Sequence, residues 1–379
     1  MTDHMDNNKY SEDLWYIFKN VQDVSSPALL IYPDRIEYNI RKMIEIAGDV
    51  NLVRPHVKTH KMAEIVRLQM KYGIRKFKCA TIAEAEMVAG CGAPDILLAY
   101  QPVGPNIERF FRLKQTFPDT KISCIVDSDE VILQLSEKAS STGMETHIWL
   151  DINNGMNRTG VPPGKVAVKL YNMITDLPNL KAEGLHVYDG HIHEKDLQPR
   201  QKICNDAYAP VIKLIEELRQ SGNSDLVIIA GGTPTFPIHA RRSGVETSPG
   251  TILLWDFGYS SSYRDLDFLH AALLLMRIIS KPGTDLICLD LGHKAVAPEM
   301  PQPRIKMFGL ENYSIISQSE EHLVLRSPEA NKMKIGDVLF GIPYHICPTV
   351  DRYDSVTVIK DGEATEQWSV EARKRRITI

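Results

Sequence analysis

The chain has few of the features that would place it outside the ordinary enzymes. Its six cysteines (Cys79, Cys91, Cys124, Cys204, Cys288 and Cys347) contain no CxxC pair. That spacing argues against a disulfide framework and predicts reduced, mostly buried thiols. No apolar run approaches the roughly 18 residues that a membrane span requires. The opening MTDHMDNNKYSEDLWYIF is polar and acidic, without the apolar core of a signal peptide. A formal net charge of −4 supplies no basic excess for nucleic acid or a membrane surface. A cytoplasmic protein acting on a small molecule is expected. A small anionic cofactor remains compatible, since it needs only a local positive site.

What the chain does have is a rhythm. From about residue 27, short β-rich runs alternate with amphipathic stretches. ALLIY (28–32) precedes a helical stretch in which Ile36, Ile40, Met43, Ile44 and Ala47 share one face, with Gly48 as its stop. NLVRPHV, KFKCA, DILLAY, KISCIVD, THIWLDI, AEGLHVY, LVIIAGG and ETSPGTILLWD continue the series, and Thr81-Ile-Ala-Glu84 is a capping box. Eight or nine such strands between helices predict a (β/α)8 TIM-type barrel over residues 27–265. After about 265 the strands follow one another through short turns. That predicts an antiparallel β-domain over 266–379, with residues 1–26 packed against it.

Functional residue types gather at predicted strand ends. Arg54-Pro-His56-Val-Lys58-Thr-His60-Lys61 sits at the C-terminal end of an early strand, the face on which parallel barrels carry their chemistry. A lysine aimed into a barrel mouth loses solvent, which favours the neutral amine as a nucleophile toward an aldehyde; a basic surface loop is the plain alternative. Asp151 to Gly160 holds Arg158 in a glycine-containing loop suited to an anion or phenolate. Two late turns, Gly231-Gly232-Thr233-Pro-Thr235 and Ser248-Pro-Gly250-Thr251, offer N–H groups and hydroxyls for a phosphate, and neither matches GxGxxG or GxxxxGK[ST]. Tyr188-Asp189-Gly-His191-Ile-His193 brings acid/base groups or metal ligands to another strand end. Near the C-terminus, His345 and Cys347 would point the same way from an extended strand and could share an open divalent-metal site. Buried cysteine is the commoner reading of such a pair.

RPHVKTHK, CATIAEAE, DILLAYQPVG, GMNRTG, the GGTPT and SPGT turns, LDLGHKAV and HICPT together resemble the D-threonine aldolase and D-serine dehydratase group. These are pyridoxal-phosphate (PLP) enzymes of the alanine racemase fold, a barrel plus a β-domain. The resemblance runs in order from about residue 27 to 355. It implies that Lys58 carries PLP as a Schiff base and that Arg158 approaches the phenolic oxygen. Gly232, Thr233, Gly250 and Thr251 would then hold the phosphate, with His56, Tyr188 and Thr235 beside them. His345 and Cys347 would bind Mn, Mg or Zn next to the substrate's β-hydroxyl, and the protein would be a homodimer. Ser248 stands where alanine racemases place an arginine facing the pyridine nitrogen, so a fixed charge is missing there. Retro-aldol cleavage of a β-hydroxy D-amino acid, with His193 or His191 as base and Asp189 nearby, is the expected reaction. Elimination to a keto acid and ammonia is the alternative, and a non-catalytic PLP carrier or a cofactor-free Schiff-base enzyme are readings of other classes.

Overall fold

A computed structural model describes residues 14–379; the part of the N-terminal expectation that falls on residues 1–13 lies outside them. The first strand, β1 (Ala28–Ile31), leads into helix α1 (Pro33–Ala47). Ile36, Ile40, Met43 and Ala47 are buried, and Gly48 ends the helix at a φ of +75°. Strands β2 (Lys76–Cys79), β3 (Asp95–Leu98), β4 (Lys121–Val126), β5 (Thr146–Ile152), β6 (Leu180–Val187), β7 (Val227–Ala230) and β8 (Val245–Thr247) then form a parallel sheet in that order. Helices such as α2 (Ala63–Lys71) and α3 (Ile82–Gly90) fall between them. Thr81 caps α3 by accepting the Glu84 N–H at 3.1 Å, and Glu84 returns to the N–H of Ala80 at 2.7 Å.

The gap between β8 and β2 is filled by residues 53–56, which complete the circle. Val53 bridges to Thr247 and His56 to Lys78, both in parallel sense. Arg54 donates its N–H to Thr247 O at 2.9 Å, and Lys78 donates to Pro55 O at 2.9 Å. Pro55 has no N–H to give, so this eighth element is an irregular ribbon and not a regular strand.

The second sheet contains β9 (Ala272–Gly283), β10 (Leu286–Leu289), β11 (Ile305–Phe308), β12 (Ser314–Gln318), β13 (Leu323–Arg326), β14 (Val338–Pro343), β15 (Ser355–Lys360) and β16 (Glu363–Ser369). Here the sequence reading needs a correction. ALLIY is not a barrel strand, because β1 pairs antiparallel with β9 and parallel with β15. Leu29 and Ile31 pack into the main core while Leu30 faces a second cluster with Phe18, Leu273 and Phe340. A strand buried on both faces is apolar throughout, so its sequence resembles that of a parallel barrel strand. A second correction concerns HICPT. Residues Ile346–Val350 form a short helix, and His345 is its extended N-cap residue.

Candidate active site

Of the cations in the Arg54–Lys61 segment, only Lys58 faces open space. Arg54 is buried beneath it, bound to Asp95 at 2.6 Å and Glu246 at 2.8 Å. Lys61 turns to Glu84 at 2.7 Å. Lys58 rides on a single helical turn (Val57–Thr59), and its backbone N–H donates to His56 Nδ1 at 3.2 Å. His56, Lys58, Tyr100, Asp127, Asp151 and Arg158 line a cavity of about 570 Å³ at the C-terminal ends of the barrel strands.

Tyr188 is the centre of the cationic groups. Arg158 lies 5.1 Å from its ring centroid and Lys58 5.9 Å. The Arg158 loop is built by Asn153, whose side-chain oxygen accepts the N–H groups of Gly155 and Asn157. Gly160 donates to Asp127 at 2.8 Å. A Cβ at Gly160 would lie 2.7 Å from Asn153 N, so no larger residue fits this return of the loop.

The two late turns meet. Gly250 donates its N–H to Thr233 Oγ1 at 3.3 Å, and a Cβ at Gly250 would lie 2.8 Å from His56 O. At Gly232 a Cβ would meet the Tyr188 ring at 2.9 Å. Thr233, Ser248 and Thr251 are buried there. Ser248 spends its hydroxyl on Arg54 O at 2.9 Å. The turns therefore form a close-packed cradle beside Lys58 and Tyr188, with N–H and hydroxyl donors of the kind a phosphate needs.

Asp189 points away from the cavity. It is buried, accepts from Thr235 at 2.7 Å and binds His239 Nε2 at 2.8 Å, with Cys204 Sγ 3.6 Å away. Burial opposes its ionisation, but His239 and Thr235 outweigh that and hold it below the usual carboxylate value. Asp189, Cys204 and His239 are the one set of three clustered metal-type donors among the described residues. However, Arg242 donates to His239 Nδ1 at 3.3 Å, which leaves Nε2 carrying the proton toward Asp189. A guanidinium alongside and a satisfied tautomer make this a brace for the Thr235 turn rather than an ion cage. His191 and His193 do not line the cavity. His191 is half-buried against Gly155, its Nδ1 without a partner, while His193 is exposed.

The His345–Cys347 pair comes together by a different geometry from the extended strand expected. Cys347 reaches Thr59 Oγ1 at 3.2 Å and Thr251 Oγ1 at 3.6 Å, which sets it between the Lys58 turn and the late cradle. Burial opposes ionisation of its thiol, but contact with His345, Lys58 and Thr59 prevails and lowers it. His345 is raised to about 9: burial disfavours its charge, and Cys347, Asp256 and Glu299 more than compensate. Glu299 lies 2.6 Å from His345 Nδ1, which directs the other ring nitrogen away from it.

Several groups at the site escaped the sequence reading. Asp151 and His186 are cross-strand neighbours in register on β5 and β6, 2.7 Å apart and buried. Lys78, on β2, is buried with its amine 5.6 Å from the Tyr188 centroid. Two lysines at alternate positions of KFKC were the available signal, because a charged residue in a barrel-strand run needs a reason. Glu299 had no signal at all, since its place depends on the packing of the second sheet.

Comparison with known proteins fits this geometry. The alanine racemase N-terminal domain family matches residues 31–256, and the serine dehydratase domain family matches 271–359. A D-threonine aldolase from Arthrobacter sp. is 31% identical over 92% of this chain and 93% of its own length. A D-threo-3-hydroxyaspartate dehydratase from Delftia sp. is 22% identical over 91% of this chain and 97% of its own. The crystal structure of D-threonine aldolase from Filomicrobium marinum superposes with a TM-score of 0.87 at 26% identity, covering 94% of this chain and 98% of that one.

Proposed function

The chain belongs to the family of PLP-dependent lyases that joins an alanine racemase N-terminal barrel to a serine dehydratase domain, and on that premise we propose that it is a metal-assisted D-threonine aldolase. The observation that carries the proposal is the convergence of Lys58, Arg158, the late turns and the His345–Cys347 pair on one barrel mouth. The cradle fits a phosphate because its glycines admit no Cβ, and the buried hydroxyls of Thr233 and Thr251 stand at the same turns. The sulfur–imidazole pair, with its thiol biased toward the thiolate, fits an open divalent site.

When bound, PLP supplies an electron sink for the bond broken at the substrate's α-carbon, and a divalent ion would acidify the β-hydroxyl. The chain's own residues supply the rest. Lys58 would hold the cofactor covalently and give it up to the substrate's amine. Arg158 would face the phenolic oxygen, and Gly232, Thr233, Gly250 and Thr251 would hold the phosphate with His56, Tyr188 and Thr235 around them. Glu299 accepts a hydrogen bond from His345 Nδ1–H, which would leave Nε2 for the metal. His193, exposed two residues on from His191, would take the β-hydroxyl proton, whereas His191 is packed against Gly155 and positions the Arg158 loop. Asp189 acts through Thr235 and His239, holding the turn in place, and not as an acid or base. The cytoplasmic, homodimeric state follows the same reading.

Elimination remains the second reading because Cys347 supplies the sulfur ligand and a dehydratase matches over nearly the full chain. Product identity tests the proposal. D-Threonine cleaved between Cα and Cβ gives glycine and acetaldehyde; 2-oxobutanoate and ammonia in their place would overturn the aldolase.

A further inference from the structure

Lys78 is a buried lysine without a conventional partner. It is 2% exposed, and its amine makes no hydrogen bond or ion pair among the described residues, only the contact with the Tyr188 ring. Buried ammonium groups are tolerated when an anion meets them. The charges that bear on Lys78 come from several elements: Lys58 on its turn, Asp151 on β5, Arg54 in the irregular eighth element and Asp189 after β6. His56 and His186 also sense its charge. Neither carboxylate is available to neutralise it. Asp151 is paired with His186, and Asp189 with His239 and Thr235. The pocket thus offers Lys78 an aromatic face and a second lysine, but no carboxylate free to pair with it.

We propose that Lys78 is a cofactor-anchoring residue whose amine meets the phenolic oxygen of the PLP held on Lys58. This rests on the reading that Lys58 carries that cofactor. The phenolic oxygen is ortho to the carbon attached to Lys58, so it is the cofactor anion nearest the lysine. The cations gather on that side, with Lys58, Lys78 and Arg158 all within 6 Å of the Tyr188 centroid. At the late turn stands Ser248, whose hydroxyl is committed to Arg54 O and not to a cofactor. Arg158 is exposed on the loop above, and Lys78 is buried in the barrel below. The phenolic oxygen would therefore receive positive charge from both levels. Burial, Lys58 and Arg54 bias the free Lys78 amine toward its neutral form, so the anion's arrival would draw a proton onto it.

Lys78→Met keeps the length of the side chain and removes the amine, and Lys78→Gln keeps a polar end without a positive charge. Each variant is titrated with PLP, and the visible absorbance of the lysine-bound cofactor is followed against pH. Removing a neighbouring cation favours the protonated, positively charged chromophore, so its midpoint should rise by about one unit or more in both variants. The dissociation constant for PLP should rise about tenfold or more. An unchanged midpoint and affinity in a folded Lys78→Met protein would overturn the assignment while leaving Lys58 as the attachment point. Absence of a lysine-bound chromophore in the wild-type protein would overturn the parent reading and this inference together.

Discussion

Residues in the barrel mouth are held by unlike forces, and their substitutions should separate accordingly. His193 is exposed and makes no contact that the fold depends on, so His193→Ala should lower turnover by about 10²- to 10⁴-fold with the bound cofactor's spectrum unchanged. His191 contacts Gly155 and carries a buried ring nitrogen; His191→Ala should act on stability and substrate affinity more than on turnover. Equal kinetic losses in the two variants would contradict the assignment of the base. Lys78 leaves a signature in stability. Its amine is lowered from 10.5 to about 7, by burial first and then by Lys58. Between those values the unfolded chain binds a proton that the folded chain does not, so stability rises with pH across that window and the cost is complete below it. In the cofactor-free protein, the stability advantage of Lys78→Met over wild type should shrink as pH rises from about 7 toward 10.5. Urea denaturation at several pH values measures it, and a constant difference would contradict the lowered value.

Elements set where these residues stand, and β6 and β7 show the tolerance involved. A Cβ at Gly184 would lie 1.8 Å from Val227 O, so Gly184→Ala requires the two strands to separate. We expect a loss of about 3 kcal/mol or more, read from thermal or urea unfolding, and a smaller effect would show that the pair can slide. The same scale explains what could be read in advance. The helix over 33–47 was legible because its apolar spacing and Gly48 agree, and the α3 cap because Thr81 and Glu84 stand at the required separation. ALLIY was not, since apolar content reports burial on both faces and carries no information about which sheet does the burying. NLVRPHV was legible as a barrel element, although Pro55 leaves it only isolated bridges and not a regular strand. His345 and Cys347 were legible as a pair, while the helix that follows His345 was hidden by a short apolar run with no period to read. The convergence of Lys58 with Cys347 across 289 positions of chain depended on a resemblance, because no local pattern records it.

At the scale of the whole molecule, the barrel and second sheet share one hydrophobic core. A single cluster runs from Leu29 through Phe77 and Leu185 to Leu325 and Val358. β1 contributes side chains to it from within the second sheet, and the His345–Cys347 pair crosses from that sheet to the Lys58 turn. Thermal unfolding should therefore be one cooperative transition by near- and far-ultraviolet circular dichroism, and two separated transitions would contradict a shared core. This joint architecture also bears on the chemistry. On the proposed reading the barrel would supply the covalent lysine and the phosphate cradle, and the second sheet the donors for a metal, so neither part alone would complete the site. The measurement that tests this most directly is glycine release from D-threonine by protein loaded with PLP and Mn²⁺, with and without a chelator. The account predicts glycine and acetaldehyde in equal amounts, lost on chelation and restored by Mn²⁺; glycine release that persists unchanged in the metal-free protein would contradict it.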